Sequence, residues 1–198
     1  MLELPDLASV VAYYRGLIGA DSSSHLTLPR GIIDVVPAAR TVLVTFDPGT
    51  VSPAAVRMWL DSAEPVFDAA YSGREVTVEV SYGGPDLGET AQFLGLSESE
   101  VVKLHTTSEW TAAFSGFAPG FVYLVTTHDR LRVPRRNTPR TAVPAGSVGL
   151  AGEFSGIYPR ASPGGWQLIG TTTAALWDAS KAEPALIQPG DVVRFVEA

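Results

Sequence analysis

Residues 114–170 constrain this chain most. They hold 9 of its 19 glycines and 6 of its 15 prolines. Low-complexity sequence can also be rich in these residues. Here, however, short apolar runs (FVYLV, SVGLA, WQLI) separate the turns. Glycine permits positive φ and close backbone approach, and proline fixes φ and removes a donor. Apolar runs between such corners predict a tightly folded all-β unit.

The remainder supplies a core and a second unit. At 198 residues the chain suits one large domain or two small ones, and 45% apolar residues with 4 Trp, 6 Tyr and 8 Phe exclude disorder. Leu2–Leu4 reads as a short, clipped strand. Asp6 or Ser9 caps a helix through Val10, Val11, Tyr14 and Leu17. Ala20 to Ser24 reads as loop. Gly31–Val36 and Thr41–Phe46 read as two strands or one hairpin, and Ser52-Pro53 opens a helix with apolar Val56, Trp59, Leu60 and Ala63. This order predicts a small α+β domain over residues 1–73, a sheet with two helices. The Ser-Gly turn near Tyr71–Arg74 is the expected boundary.

In residues 74–198, Val76, Val78, Val80 and Tyr82 alternate on one face of a strand. Asp86–Leu96 reads as a helix. Ser97 and Glu100 form a capping box for a second helix ending near His105. Strands are expected at 110–114, 121–126, 146–151, 166–169, 174–177 and 192–196.

Composition excludes several functions. Net charge is −7, against general nucleic-acid affinity, and no run of about 18 apolar residues suggests a membrane span. The start lacks the pattern of a signal peptide, so a cytoplasmic location is expected. There is no cysteine, and His25, His105 and His128 are scattered, so no metal site is expected. No P-loop, dinucleotide fingerprint or nucleophile elbow occurs.

Charge is uneven, however. Residues 114–170 carry six arginines against Asp129 and Glu153. Arg135, Arg136 and Arg140 alternate with Pro134, Pro139 and Pro144, which stiffen the backbone presenting them. Their guanidinium forks suit a carboxylate or phosphate; a structural ion pair or partner contact suits them equally. His105 closes a helix, where the dipole favours its charged form, or serves a substrate. Tyr158 either aims its hydroxyl into a cleft or buries its ring and bonds a carbonyl. Phe117, Pro119 and Gly120, with Gly164 and Gly165, either line a pocket or make tight turns.

The stretches GFAPGFVYL (116–124), PRRNTPRTAVPAGSVGLAG (134–152), GIYP (156–159) and SPGGWQLIG (162–170) resemble the PxpB and KipI family of 5-oxoprolinase components, also labelled allophanate hydrolase subunit 1. The likeness extends to YGGPDL (82–87), PGDVVRF (189–195) and DVVPAARTVLVTFDP (34–48), so it covers nearly the whole chain. FVYL stands where FPYL or FPFL is usual, and the loop between YGG and PDL is shortened. The resemblance implies an α+β first domain and a mainly-β second domain, a cyclophilin-like β-barrel. It implies work beside a PxpC-like subunit (allophanate hydrolase subunit 2 family) and a PxpA-like subunit. Together these hydrolyse 5-oxoproline to L-glutamate with ATP as co-substrate. In that setting His105, Arg140 and Tyr158 are candidate catalytic residues. Arg135, Phe117, Pro119, Gly120, Gly164, Gly165 and Gln167 are candidate substrate-binding residues. The alternative within the family is a KipI-like inhibitor of a sensor histidine kinase. The Ser-Ser-Lys set that an allophanate hydrolase amidase needs is missing from the sequence.

Overall fold

The computed structural model describes residues 1–18, 28–67 and 73–198. The loop expected at 20–24 and part of the turn expected at 71–74 lie outside them. Chain contacts divide the molecule into two units, Met1–Tyr71 and Ser72–Ala198.

The first unit runs β1 (Leu2–Glu3), α1 (Leu7–Ile18), β2 (Ile32–Pro37), β3 (Thr41–Phe46) and α2 (Pro53–Asp61). Its sheet has the order β1-β3-β2, all antiparallel. Asp6 is the cap of α1, accepting the Ser9 N–H at 2.8 Å. Ser52 caps α2 from the position before Pro53, whose missing N–H costs nothing at a first helical residue. Val10 and Leu17 of α1 pack on Val35 and Val42 of the sheet. Gly16 has to be glycine: a Cβ there would sit 2.1 Å from the Glu64 carbonyl oxygen.

The second unit runs β4 (Glu75–Tyr82), α3 (Leu87–Leu94), α4 (Glu98–Thr107), β5 (Trp110–Ser115), β6 (Val122–Val125), β7 (Arg140–Val143), β8 (Ser147–Ala151), β9 (Phe154–Ile157), β10 (Ser162–Gly164), β11 (Gln167–Thr171) and β12 (Val192–Glu197). Seven strands close into a barrel in the order β11-β4-β12-β5-β6-β9-β8. β12 pairs parallel to β4 and antiparallel to β5. β7 and β10 form a separate two-stranded ribbon. The expected mixture of an α+β unit and a barrel unit is therefore present. The capping box of α4 forms as its sequence dictates: Ser97 and Glu100 exchange side chain and backbone bonds.

The barrel is filled by Val78, Val80, Leu124, Leu150, Ile169 and Phe195, with Trp110 beside them. A second cluster gathers Phe121, Val143, Ala151, Tyr158, Trp166 and Leu168. Every residue of β8 is buried. Val148 and Leu150 join the first cluster and Ala151 the second, so β8 is packed on both faces.

Residues 174–177 are a correction. They form no strand; Trp177 makes only an isolated bridge to Ala185. After Thr171 the Thr172 N–H bonds the Gly146 carbonyl, and the chain then pairs only briefly with 184–186, where Leu186 N–H bonds the Leu176 carbonyl and Asp178 N–H the Pro184 carbonyl, too short a contact to make a strand. Conversely β7, β9 and β10 arise where sequence suggests only turns. Their Gly, Pro and Arg residues hide the alternation by which strands are recognised.

Candidate functional site

The site grows from the start of α3. Gly84, Asp86 and their neighbours run beside β11: Gly84 N–H bonds the Ile169 carbonyl and Asp86 N–H the Leu168 carbonyl. This places the Asp86 side chain under the barrel edge, 1% exposed. One carboxylate oxygen accepts from Arg140 Nη2 at 2.7 Å and also from Arg136 Nη1. The other accepts the Leu168 N–H at 2.7 Å. Burial pushes the Asp86 carboxyl up. The Arg140 and Leu168 hydrogen bonds and the charges of both arginines outweigh it, and its pKa lies below the ordinary carboxylate value. Asp86 is thus ionised at neutral pH. Arg136 Nη1 also lies 3.7 Å from the exposed Glu89.

The ribbon and the segment before it carry the arginines. Arg140 starts β7 and pairs with Gly164 of β10. Arg136 N–H bonds the Gly165 carbonyl at 2.8 Å, and Gln167 Nε2 bonds the Pro134 carbonyl at 3.2 Å. Tyr158 lies beneath β10. A Cβ on Gly164 would stand 2.4 Å from the Tyr158 hydroxyl, so glycine is what admits the phenol. Burial raises the Tyr158 pKa against the opposing pull of the Trp166 N–H and the nearby charges of Arg135 and Arg140. The phenol is protonated at neutral pH and can donate.

Of the sequence-derived candidates, Arg140, Tyr158, Gly164, Gly165 and Gln167 therefore come together. Arg135 is exposed, with its charge felt at Tyr158 and Tyr123. Phe117, Pro119 and Gly120 line a neighbouring open cavity of about 390 Å3 together with Trp177 and Ile187. Phe117 joins the two places: its ring meets Tyr158 edge-on, centroids 6.1 Å apart. It is 57% exposed and holds φ 68°, a left-handed conformation costly for a bulky residue.

His105 is elsewhere. It is fully buried, stacked on Phe195 with centroids 4.2 Å apart. Its Nδ1 bonds Tyr82 Oη at 2.7 Å and its Nε2 bonds Ser155 Oγ at 2.9 Å. Burial lowers its pKa to about 3, so the ring is neutral at pH 7. The helix-end charge expected of it is absent, because the barrel core outweighs the dipole. With no exposed surface and both nitrogens occupied, His105 stands apart from the arginine corner. Asp86, the residue that organises that corner, is not singled out by sequence, where it reads as a helix start. A lone carboxylate within an apolar G-G-P-D-L stretch is the available signal. Among the described residues no cluster of three or more His, Cys, Asp or Glu could hold a metal ion, and no helix is long and apolar enough to cross a membrane.

A barrel with an arginine-bearing ribbon, in a chain that also folds a small α+β unit, is the architecture of a known domain class. The family model for the carboxyltransferase domain, subdomains C and D, matches residues 14–187, and the chain belongs to that family. It is 41% identical over 172 residues to a protein of Escherichia coli O157:H7 named as the B component of 5-oxoprolinase, covering 83% of this chain and 78% of that one. A Bacillus subtilis protein of the same name is 40% identical over 181 residues, covering 84% and 75%. The solved structure of TTHA0988 superposes with a TM-score of 0.80 at 36% identity, covering all of this chain and 39% of that one. The present fold therefore spans well under half of the TTHA0988 chain.

Proposed function

We propose that this chain acts as the PxpB component of an ATP-dependent 5-oxoprolinase, hydrolysing 5-oxoproline to L-glutamate with PxpC-like and PxpA-like chains. The observation that carries the reading is the arginine corner: two guanidinium groups fixed by a buried carboxylate beside a protonated phenol, in a chain over 40% identical to the E. coli 5-oxoprolinase component. Fixed positive charge suits a reaction in which negative charge develops on oxygen. In the proposed reaction the lactam oxygen takes the γ-phosphoryl group of ATP and ADP leaves. Water then attacks the activated carbon, the C–N bond breaks with the nitrogen taking a proton, and phosphate departs. Arg140 faces the substrate carboxylate or the transferred phosphoryl group, and Tyr158 donates to an oxygen. The partner chains supply what this corner lacks.

The test is reconstitution of the chain with PxpC-like and PxpA-like proteins, assayed for ATP hydrolysis that depends on 5-oxoproline. Turnover is expected from the full set, and Arg140→Ala is expected to reduce it about a hundredfold or more while the complex still assembles. A complete, assembled set without turnover refutes the hydrolase reading. Inhibition of a sensor kinase by the chain alone would instead support the KipI-like alternative.

A further inference from the structure

The arginine corner is electrostatically unfinished by the protein alone. Two guanidinium charges face one buried carboxylate whose oxygens are already occupied by three donors. Glu89, 74% exposed, is too hydrated to balance the second charge. Among the described residues five buried side-chain N or O atoms find no protein partner, and three belong here: Arg136 Nε, Arg140 Nη1 and Gln167 Oε1. Buried polar groups without partners each cost about 1–3 kcal/mol, so three in one corner call for a common explanation. Two are donors carried by cations and one is an acceptor.

We propose that Arg136, Arg140 and Gln167, positioned by Asp86, bind a small oxyanion that also carries one hydrogen-bond donor. Monohydrogen phosphate meets this description through its O–H, and a small lactam carboxylate meets it through its N–H. The anion accepts from Arg136 Nε and Arg140 Nη1, and its donor reaches Gln167 Oε1. These atoms are covered, so binding is coupled to movement of residues 134–139. That segment is irregular, is exposed at all positions but Arg136, and carries the carbonyl that Gln167 Nε2 bonds. The inference rests on the reading above only for the corner's place in a complex, not for binding itself.

Calorimetric titration of the full chain, alone and at fixed ionic strength, tests it with three probes: inorganic phosphate, 5-oxoproline and sulfate. Phosphate or 5-oxoproline should bind saturably, and sulfate, which has no donor at neutral pH, about tenfold more weakly. Which of the first two binds tells the phosphoryl from the carboxylate source. Arg140→Gln and Arg136→Gln should each weaken binding about tenfold, and Gln167→Met should erase the preference over sulfate. No saturable binding of phosphate or 5-oxoproline overturns the proposal, as does unchanged affinity in folded arginine variants. If those variants fail to fold, an unaltered preference in Gln167→Met overturns it. No partner or ATP is present, so a turnover failure in the reconstituted set leaves this result standing.

Discussion

His105 and Asp86 are both buried polar groups of the barrel unit, yet they are satisfied differently. His105 is neutral, and each ring nitrogen meets one hydroxyl, so no polar group of the imidazole is left over. Asp86 is charged and saturated, but its partners are not: each arginine keeps a covered donor that the protein does not meet. A completed network rigidifies a core. An incomplete one, carrying surplus charge, is held in place by the fold and directed at something else. Burial and polarity alone would rank the two alike; counting donors and acceptors separates them.

The largest expected effect is that of Asp86→Ala. It leaves two partly buried guanidinium groups without their carboxylate and should destabilise the chain by about 3 kcal/mol or more in urea unfolding. A loss below about 1 kcal/mol would mean that the arginines are solvated where they stand and that the contrast is false. His105→Phe keeps the stack on Phe195 but strands the Tyr82 and Ser155 hydroxyls, for a loss of roughly 2 kcal/mol.

Acid sharpens the difference. The unfolded His105 takes up its proton near 6.5 and the folded one only near 3, so between these values the unfolded chain binds more protons. Stability should therefore fall as the pH drops from 6.5 towards 3, by at most about 1.4 kcal/mol per pH unit from this group. Asp86 has a depressed folded pKa, and its contribution is lost only below the ordinary value of 3.8. In His105→Phe the slope between pH 6.5 and 4 should flatten while acid unfolding below it persists. An unchanged slope there would show that His105 is protonated in the native chain. Smallest is Tyr82→Phe, which removes one half-buried hydrogen bond and should cost about 1 kcal/mol.

The regular elements are legible because their signals are local. Val76, Val78, Val80 and Tyr82 alternate, and Ser97 with Glu100 announces α4. The strands that sequence hides, β7, β9 and β10, carry glycine, proline or arginine where alternation is sought, and their pairing comes from distant partners. The site divides in the same way. The Arg/Pro spacing points to Arg140, and SPGG and GIYP point to Gly164 and Tyr158. Asp86 cannot be read this way, because Arg136 and Arg140 lie 50 and 54 residues from it. His105 misleads because helix position is visible in sequence and the stacked ring of Phe195 is not.

The place of β12 carries a consequence for biosynthesis. This strand fills the gap between β4 and β5, with Val192 beside Glu75 at the far end of the unit. Until residues 192–197 have left the ribosome, those two strands have no neighbour between them, and the cylinder stays open along an apolar seam. The barrel therefore closes only when the last strand of the unit is in place, and a chain cut before Val192 would leave β4 and β5 without the neighbour they share.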